Sequence, residues 1–153
     1  VLHMIGQLQS NKAAQAAKLF DVIQSVDRPS LIDALIKQGA ALGRPIPVML
    51  EVGIAGEEQK AGCEPDEAPA LAAAIVSSPH LALRGLMTMA PLVDDAEATR
   101  PTFRGLRELR DRLQVAHPDA RLDWLSMGMT NDFEVAIEEG ATHVRVGRAL
   151  FGG

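Results

Sequence analysis

About six short apolar runs alternate with helix-patterned segments along this chain, and that alternation limits the fold more than any single motif does. The runs are Val1 to Gly6, Asp21 to Val26, Pro47 to Val52, Leu81 to Met89, the stretch from Leu122 into Met129, and His143 to Val146. Between them lie an Ala-rich segment around Ala13 to Phe20, then Ser30 to Leu42, Glu67 to Ser77, Ala96 to Val115, and Asn131 to Glu139. Parallel strands need a crossover connection, usually a helix. The order β-α-β-α therefore predicts an α/β fold with a parallel sheet. The run LALRGLMTM is apolar nearly throughout, as suits a strand covered on both faces. Punctuation agrees with these boundaries: Gly43 follows the second helix pattern, Pro118 ends the fourth, and Pro45 and Pro47 are confined to the entry of a strand.

The first βα turn carries no G-x-G-x-x-G, and there is no P-loop, so a nucleotide-binding doubly wound sheet is not favoured. A (β/α)8 barrel of the TIM type fits better. A closed barrel of that type has eight strands, so about six implies that about two βα units are missing from the N-terminal end. The chain opens at Val1 directly into an apolar run, as a strand entered at its start would. Residues 1–153 are expected to be one N-terminally truncated barrel domain.

Composition narrows the partners. A formal net charge of −5 argues against nucleic acid or anionic membrane. Aromatics make up 3% with no Tyr, which leaves no stacking platform for single strands. Cys63 is the sole cysteine, so there is no disulfide framework within the chain, and a cytoplasmic setting is the simple expectation. His80, His117 and His143 share no ligand spacing, so no metal site is expected.

Chemistry concentrates between Leu122 and Phe151. One apolar run ends in Ser126-Met127-Gly128-Met129-Thr130, and the next ends in Gly147-Arg148. Two small-residue turns at the carboxyl ends of adjacent parallel strands can aim backbone N–H groups at one phosphate. In (β/α)8 barrels that site recurs after the last two strands. Ser126 and Thr130 could add hydroxyl hydrogen bonds, and Gly128 lets backbone approach closely. The same residues also read as two ordinary βα turns with a helix cap at Asn131 to Glu134. Asp132 would repel a phosphate, so it is expected to point away or to cap its own helix. Arg145 lies in an apolar strand and needs a phosphate or a carboxylate as partner; Arg148 reads as a surface or loop residue.

Several motifs, in order and at plausible spacing, resemble those of the pyridoxal phosphate homeostasis proteins, the YggS/PROSC family. His3-Met4-Ile5-Gly6-Gln7-Leu8-Gln9-Ser10-Asn11-Lys12 is similar to H-x-I-G-x-L-Q-x-N-K, and Glu57 to Gly62 to E-x-x-K-x-G. Arg84 to Met87 matches R-G-L-M, Leu125 to Asp132 resembles L-S-M-G-M-S-x-D, and Val144 to Gly152 resembles V-R-I-G-x-x-I-F-G. Leu2 stands where an aromatic is usual and Gly53 where an Asn is common. The resemblance implies an alanine racemase-like barrel that binds pyridoxal 5′-phosphate (PLP) and buffers or delivers it, possible acceptors being PLP-dependent apoenzymes. It implies a cofactor set of Ser126, Met127, Gly128, Met129, Thr130, Arg145, Gly147, His3, Asn11 and Met87. His3 fits either the cofactor side or the core, and Met87 either the ring pocket or the core. The family's Schiff-base lysine sits on an early strand with no counterpart here, so no catalytic residue is assigned. Lys12 and Lys60 fall in polar segments and read as solvated. The rival reading is a PLP-dependent racemase-like enzyme, which needs a second acid/base group on the opposite ring face; a third is a purely structural fragment.

Overall fold

The structure, a computed structural model, describes residues 1–56 and 61–152. The E-x-x-K-x-G motif, with Lys60, falls largely outside them. Six strands form one parallel sheet in chain order. They are β1 (His3–Met4), β2 (Val22–Val26), β3 (Ile46–Glu51), β4 (Leu81–Met87), β5 (Trp124–Met129) and β6 (His143–Arg145). The helices are α1 (Ala13–Leu19), α2 (Pro29–Leu42), α3 (Ala68–Val76), α4 (Arg100–Ala116), α5 (Phe133–Glu138) and α6 (Arg148–Phe151). Among the described residues the six strands make a curled part of a (β/α)8-type barrel, β1 and β6 forming the two edges of the described sheet. No helix among the described residues is long and apolar enough to cross a membrane.

Local chemistry explains the boundaries. Pro29 opens α2, where its missing N–H leaves no bond unmade, and Gly43 closes it at φ 68°. α4 buries Phe103, Leu106, Leu109 and Leu113 on one stripe against the sheet, leaving its arginines outside. Every βα crossover packs its helix on the same face. Ile23, Val48, Leu50, Leu83, Leu86, Leu125 and Met127 project toward those helices and form the main core.

The other face is concave. Adjacent strands lie ~4.8 Å apart, so a flat sheet would hold β2 and β5 ~14 Å from each other. Instead the Ser126 hydroxyl of β5 meets the Gln24 side chain of β2 at 2.6 Å. The rings of His3 on β1 and His143 on β6 lie 5.5 Å apart. The sheet is curled until side chains from opposite edges touch. An irregularity in the β3–β4 ladder, where Val48 pairs with Leu83 but Met49 with Gly85, resets the alternation of β4. It sends Leu86 to the helices and pairs Met87 with Glu51; Met49, Glu51 and Met87 are all buried outside the helix-facing core.

Candidate functional site

A cleft of about 610 Å³ opens at the carboxyl ends of β5 and β6. That volume lies within the usual range for small-molecule sites, ~300–1,000 Å³. His3, Met129, Thr130, Arg145 and Gly147 line it, so the structure brings five of the predicted residues to one surface. Ser126 lies directly behind. It is fully buried, it accepts a hydrogen bond from Arg145 Nη1 at 2.6 Å, and it donates one to Gln24 Oε1.

The remaining predicted residues sit elsewhere. Met127 projects into the helix-facing core. Gly128 is a packing position: its φ is 98°, and a Cβ there would stand 2.6 Å from Ala136 Cβ on α5. Met87 is fully buried within the concave layer. Asn11 is exposed in a 3-10 turn, Ser10–Lys12, away from the cleft. Asp132 turns back on its own loop, where Oδ1 accepts the Met129 N–H at 2.7 Å, and no side-chain cap forms at the start of α5. Arg148 is exposed at the cleft rim, as the first residue of α6.

Arg145 organises the polar part. Its Nη2 donates to the Thr88 carbonyl at 2.8 Å and its Nη1 to Ser126, while its Nε is buried without a partner. No carboxylate among the described residues is within salt-bridge distance. Burial lowers its pKa from the usual arginine value, and Glu51 and Asp132 act in the opposite sense. The result is a guanidinium held by neutral acceptors with its charge only partly compensated, at the edge of a cleft. Gly147 contributes open space: a Cβ there would meet nothing within 4 Å. Among the described residues no protein acceptor engages the N–H groups of Gly147 and Arg148.

Three groups that the sequence did not flag, Gln24, Glu51 and Trp124, complete the surroundings. Gln24 is 3% exposed, and its Nε2 lies 2.8 Å from His3 Nδ1. Glu51 is 2% exposed, and burial first, then the Asp27 charge, pushes its carboxyl up to about 7, with Arg145 pulling the other way. Trp124 packs within 5.0 Å of the His143 ring and carries the Arg84 guanidinium 4.1 Å above its face. Both histidines fall below the ordinary imidazole value. Burial is the main cause for each, with His3 adding to it for His143, while Asp21 opposes the shift of His3. A polar residue within an apolar strand was the only available signal for Gln24 and Glu51.

The geometry can bind a small anion: one undercompensated cation, free backbone N–H groups, a hydroxyl at Thr130, and glycine-made space. Comparison with known proteins gives three findings that bear on it. The family model described as alanine racemase, N-terminal domain, matches residues 1–153. The pyridoxal phosphate homeostasis proteins of Pasteurella multocida (strain Pm70) and Aquifex aeolicus (strain VF5) are 42% and 45% identical over 150 residues, 98% of this chain. The chain spans 64% and 65% of their respective lengths. PipY of Synechococcus elongatus PCC7942, solved with PLP bound, superposes with a TM-score of 0.89 at 39% identity, covering 98% of this chain and 69% of PipY.

Proposed function

The chain belongs to the alanine racemase N-terminal-domain family, and from that premise we propose that it binds PLP at the β5–β6 cleft and serves in PLP homeostasis. The role is to hold the cofactor and hand it on inside the cytoplasm, with PLP-dependent apoenzymes as receivers. The observation that carries this reading is Arg145, a cation between two glycine-containing turns with no carboxylate partner among the described residues. A half-buried charge with an unpartnered N–H is unfavourable unless something compensates it, and a phosphate in the cleft would do so.

The residues present fit the cofactor. Thr130, the Gly147 and Arg148 N–H groups and the Arg145 guanidinium would hold its anionic oxygens. Ser126 and the Thr88 carbonyl would keep Arg145 in place from behind. Met129, Ile5 and Val146 would supply apolar wall. Bound there, PLP supplies a reactive aldehyde on an electron-withdrawing ring. Asp132, whose Oδ1 is engaged by Met129 N–H, would stay directed into its own turn rather than at the phosphate.

The test is equilibrium binding of PLP, followed by absorbance, to the full chain and to Arg145→Ala. Loss of one charge-assisted hydrogen bond should weaken binding by about 1.5–3 kcal/mol. Equal affinity of the two proteins would remove the cleft from consideration. Incubation of the loaded protein with single enantiomers of several amino acids separates carrier from enzyme: steady inversion at ~1 s⁻¹ or faster would favour a racemase.

A further inference from the structure

One string of hydrogen bonds crosses the concave face from Arg145 to His3, and its direction is fixed at one end. A guanidinium only donates. Ser126 Oγ therefore accepts from Arg145 Nη1 at 2.6 Å. Its own hydrogen is left to donate, and the acceptor in place is Gln24 Oε1 at 2.6 Å. With the carbonyl of Gln24 so assigned, its NH₂ group faces His3, 2.8 Å from Nδ1. Nδ1 must then be the acceptor, and a neutral His3 carries its proton on Nε2. Reversing the amide leaves the Ser126 hydrogen with no acceptor among the described residues and sets two donors on one hydroxyl. The two buried side chains, Ser126 and Gln24, thus transmit the donor character of Arg145 across the sheet to His3.

His3 lines the cleft with Nδ1 occupied in this way, and no described residue engages Nε2. We propose that Gln24 is a positioning residue that locks His3 in the Nε2–H tautomer, so that His3 offers one hydrogen-bond donor to an anionic oxygen of the ligand in the cleft. This inference rests on the cofactor reading above and adds to it a defined proton at a defined atom. Protonating His3 would put Nδ1–H against the Gln24 NH₂ group, so the string opposes the imidazolium. Of the charged side chains around His3, Asp21 favours the cation. His143 across the gap and Arg145 at the far end of the string add no stabilising negative charge.

Long-range proton–nitrogen NMR correlation on the full chain, loaded with PLP, reads the tautomer directly. The expected spectrum has His3 protonated at Nε2 and bare at Nδ1 at neutral pH. Gln24→Glu keeps an acceptor for Ser126 and presents a second acceptor to His3. It should move the proton to Nδ1, raise the titration midpoint of His3, and weaken PLP binding about five- to tenfold, the loss of about one hydrogen bond. A passive packing role for Gln24 would change affinity without moving the proton. Wild-type protein that binds PLP with His3 protonated at Nδ1 overturns the inference and leaves the cofactor reading standing. Wild-type protein that binds no PLP overturns both. The wild-type spectrum decides the matter even if Gln24→Glu fails to fold.

Discussion

Two arginine sites in this molecule contrast sharply. On the outside, Arg100, Arg104 and Arg107 of α4 converge on Glu139, which is 4% exposed and follows the last residue of α5. Arg104 heads the causes that hold this carboxyl below its usual range. Every charge there has a partner within the chain, and the cluster ties one helix to the next. On the concave side, Arg145 has a hydroxyl, a carbonyl and a thioether sulfur, and one buried N–H with nothing. A charge satisfied by its own chain holds structure together. A charge left undercompensated beside a cleft leaves bonding capacity unused within the described residues, which the proposed phosphate would take up.

The contrast can be broken at several points. The largest effect should come from Glu51, which shares the Arg145 side. Its folded-state pKa of about 7 lies above its unfolded value, so its contribution is fully present below about pH 4.5 and is lost as pH rises through 7. The difference amounts to about 3 kcal/mol. Chemical denaturation at pH 5 and pH 8 should show the decline in the wild type and its absence in Glu51→Gln. An unchanged slope in the variant would assign the titration to another group.

The two glycines of the predicted site should part company. Gly128→Ala places a methyl against Ala136 at a positive φ and should destabilise by about 3 kcal/mol. Gly147→Ala has open space and a helical backbone, so its stability should change by less than ~0.5 kcal/mol while PLP binding weakens. Thermal melts paired with PLP titrations distinguish them; equal melting losses would mean that Gly147 is a packing residue too. Between these in size, Glu139→Ala leaves three arginines facing one another. Solvent on their outer side screens the repulsion, so the loss should be about 2 kcal/mol, with PLP affinity untouched. A fall in affinity as large as that of Arg145→Ala would erase the contrast between the two arginine sites.

Much of this was visible in the sequence because it depends on local pattern. The apolar runs became strands, and Gly43 ended α2 as its position implied. β1 proved shorter than its apolar run, His3–Met4, since a strand exists only where a neighbour's ladder reaches. α6 was not foreseen: four residues, Arg148–Phe151, are too few to show a period. In the candidate site, Arg145, Thr130 and Gly147, which the fold brings to one cleft, were marked in the sequence by a charge and small residues at strand ends. Gln24 showed only as a polar residue in an apolar strand; its role did not show, because its partner Ser126 is 102 positions away and only the curl of the sheet joins them. Ser126 itself was read as a hydroxyl free to meet phosphate, whereas the fold commits that hydrogen to Gln24.

The most direct test of the whole account is a crystal structure of the full chain grown with PLP. The phosphate should lie between Thr130 and the Gly147–Arg148 turn, with Arg145 still bonded to Ser126 and Thr88 and reaching an anionic oxygen of the cofactor. Phosphate found instead in the second cleft, of about 420 Å³ beside Arg84 and Arg121, with the β5–β6 turns bare, would contradict it.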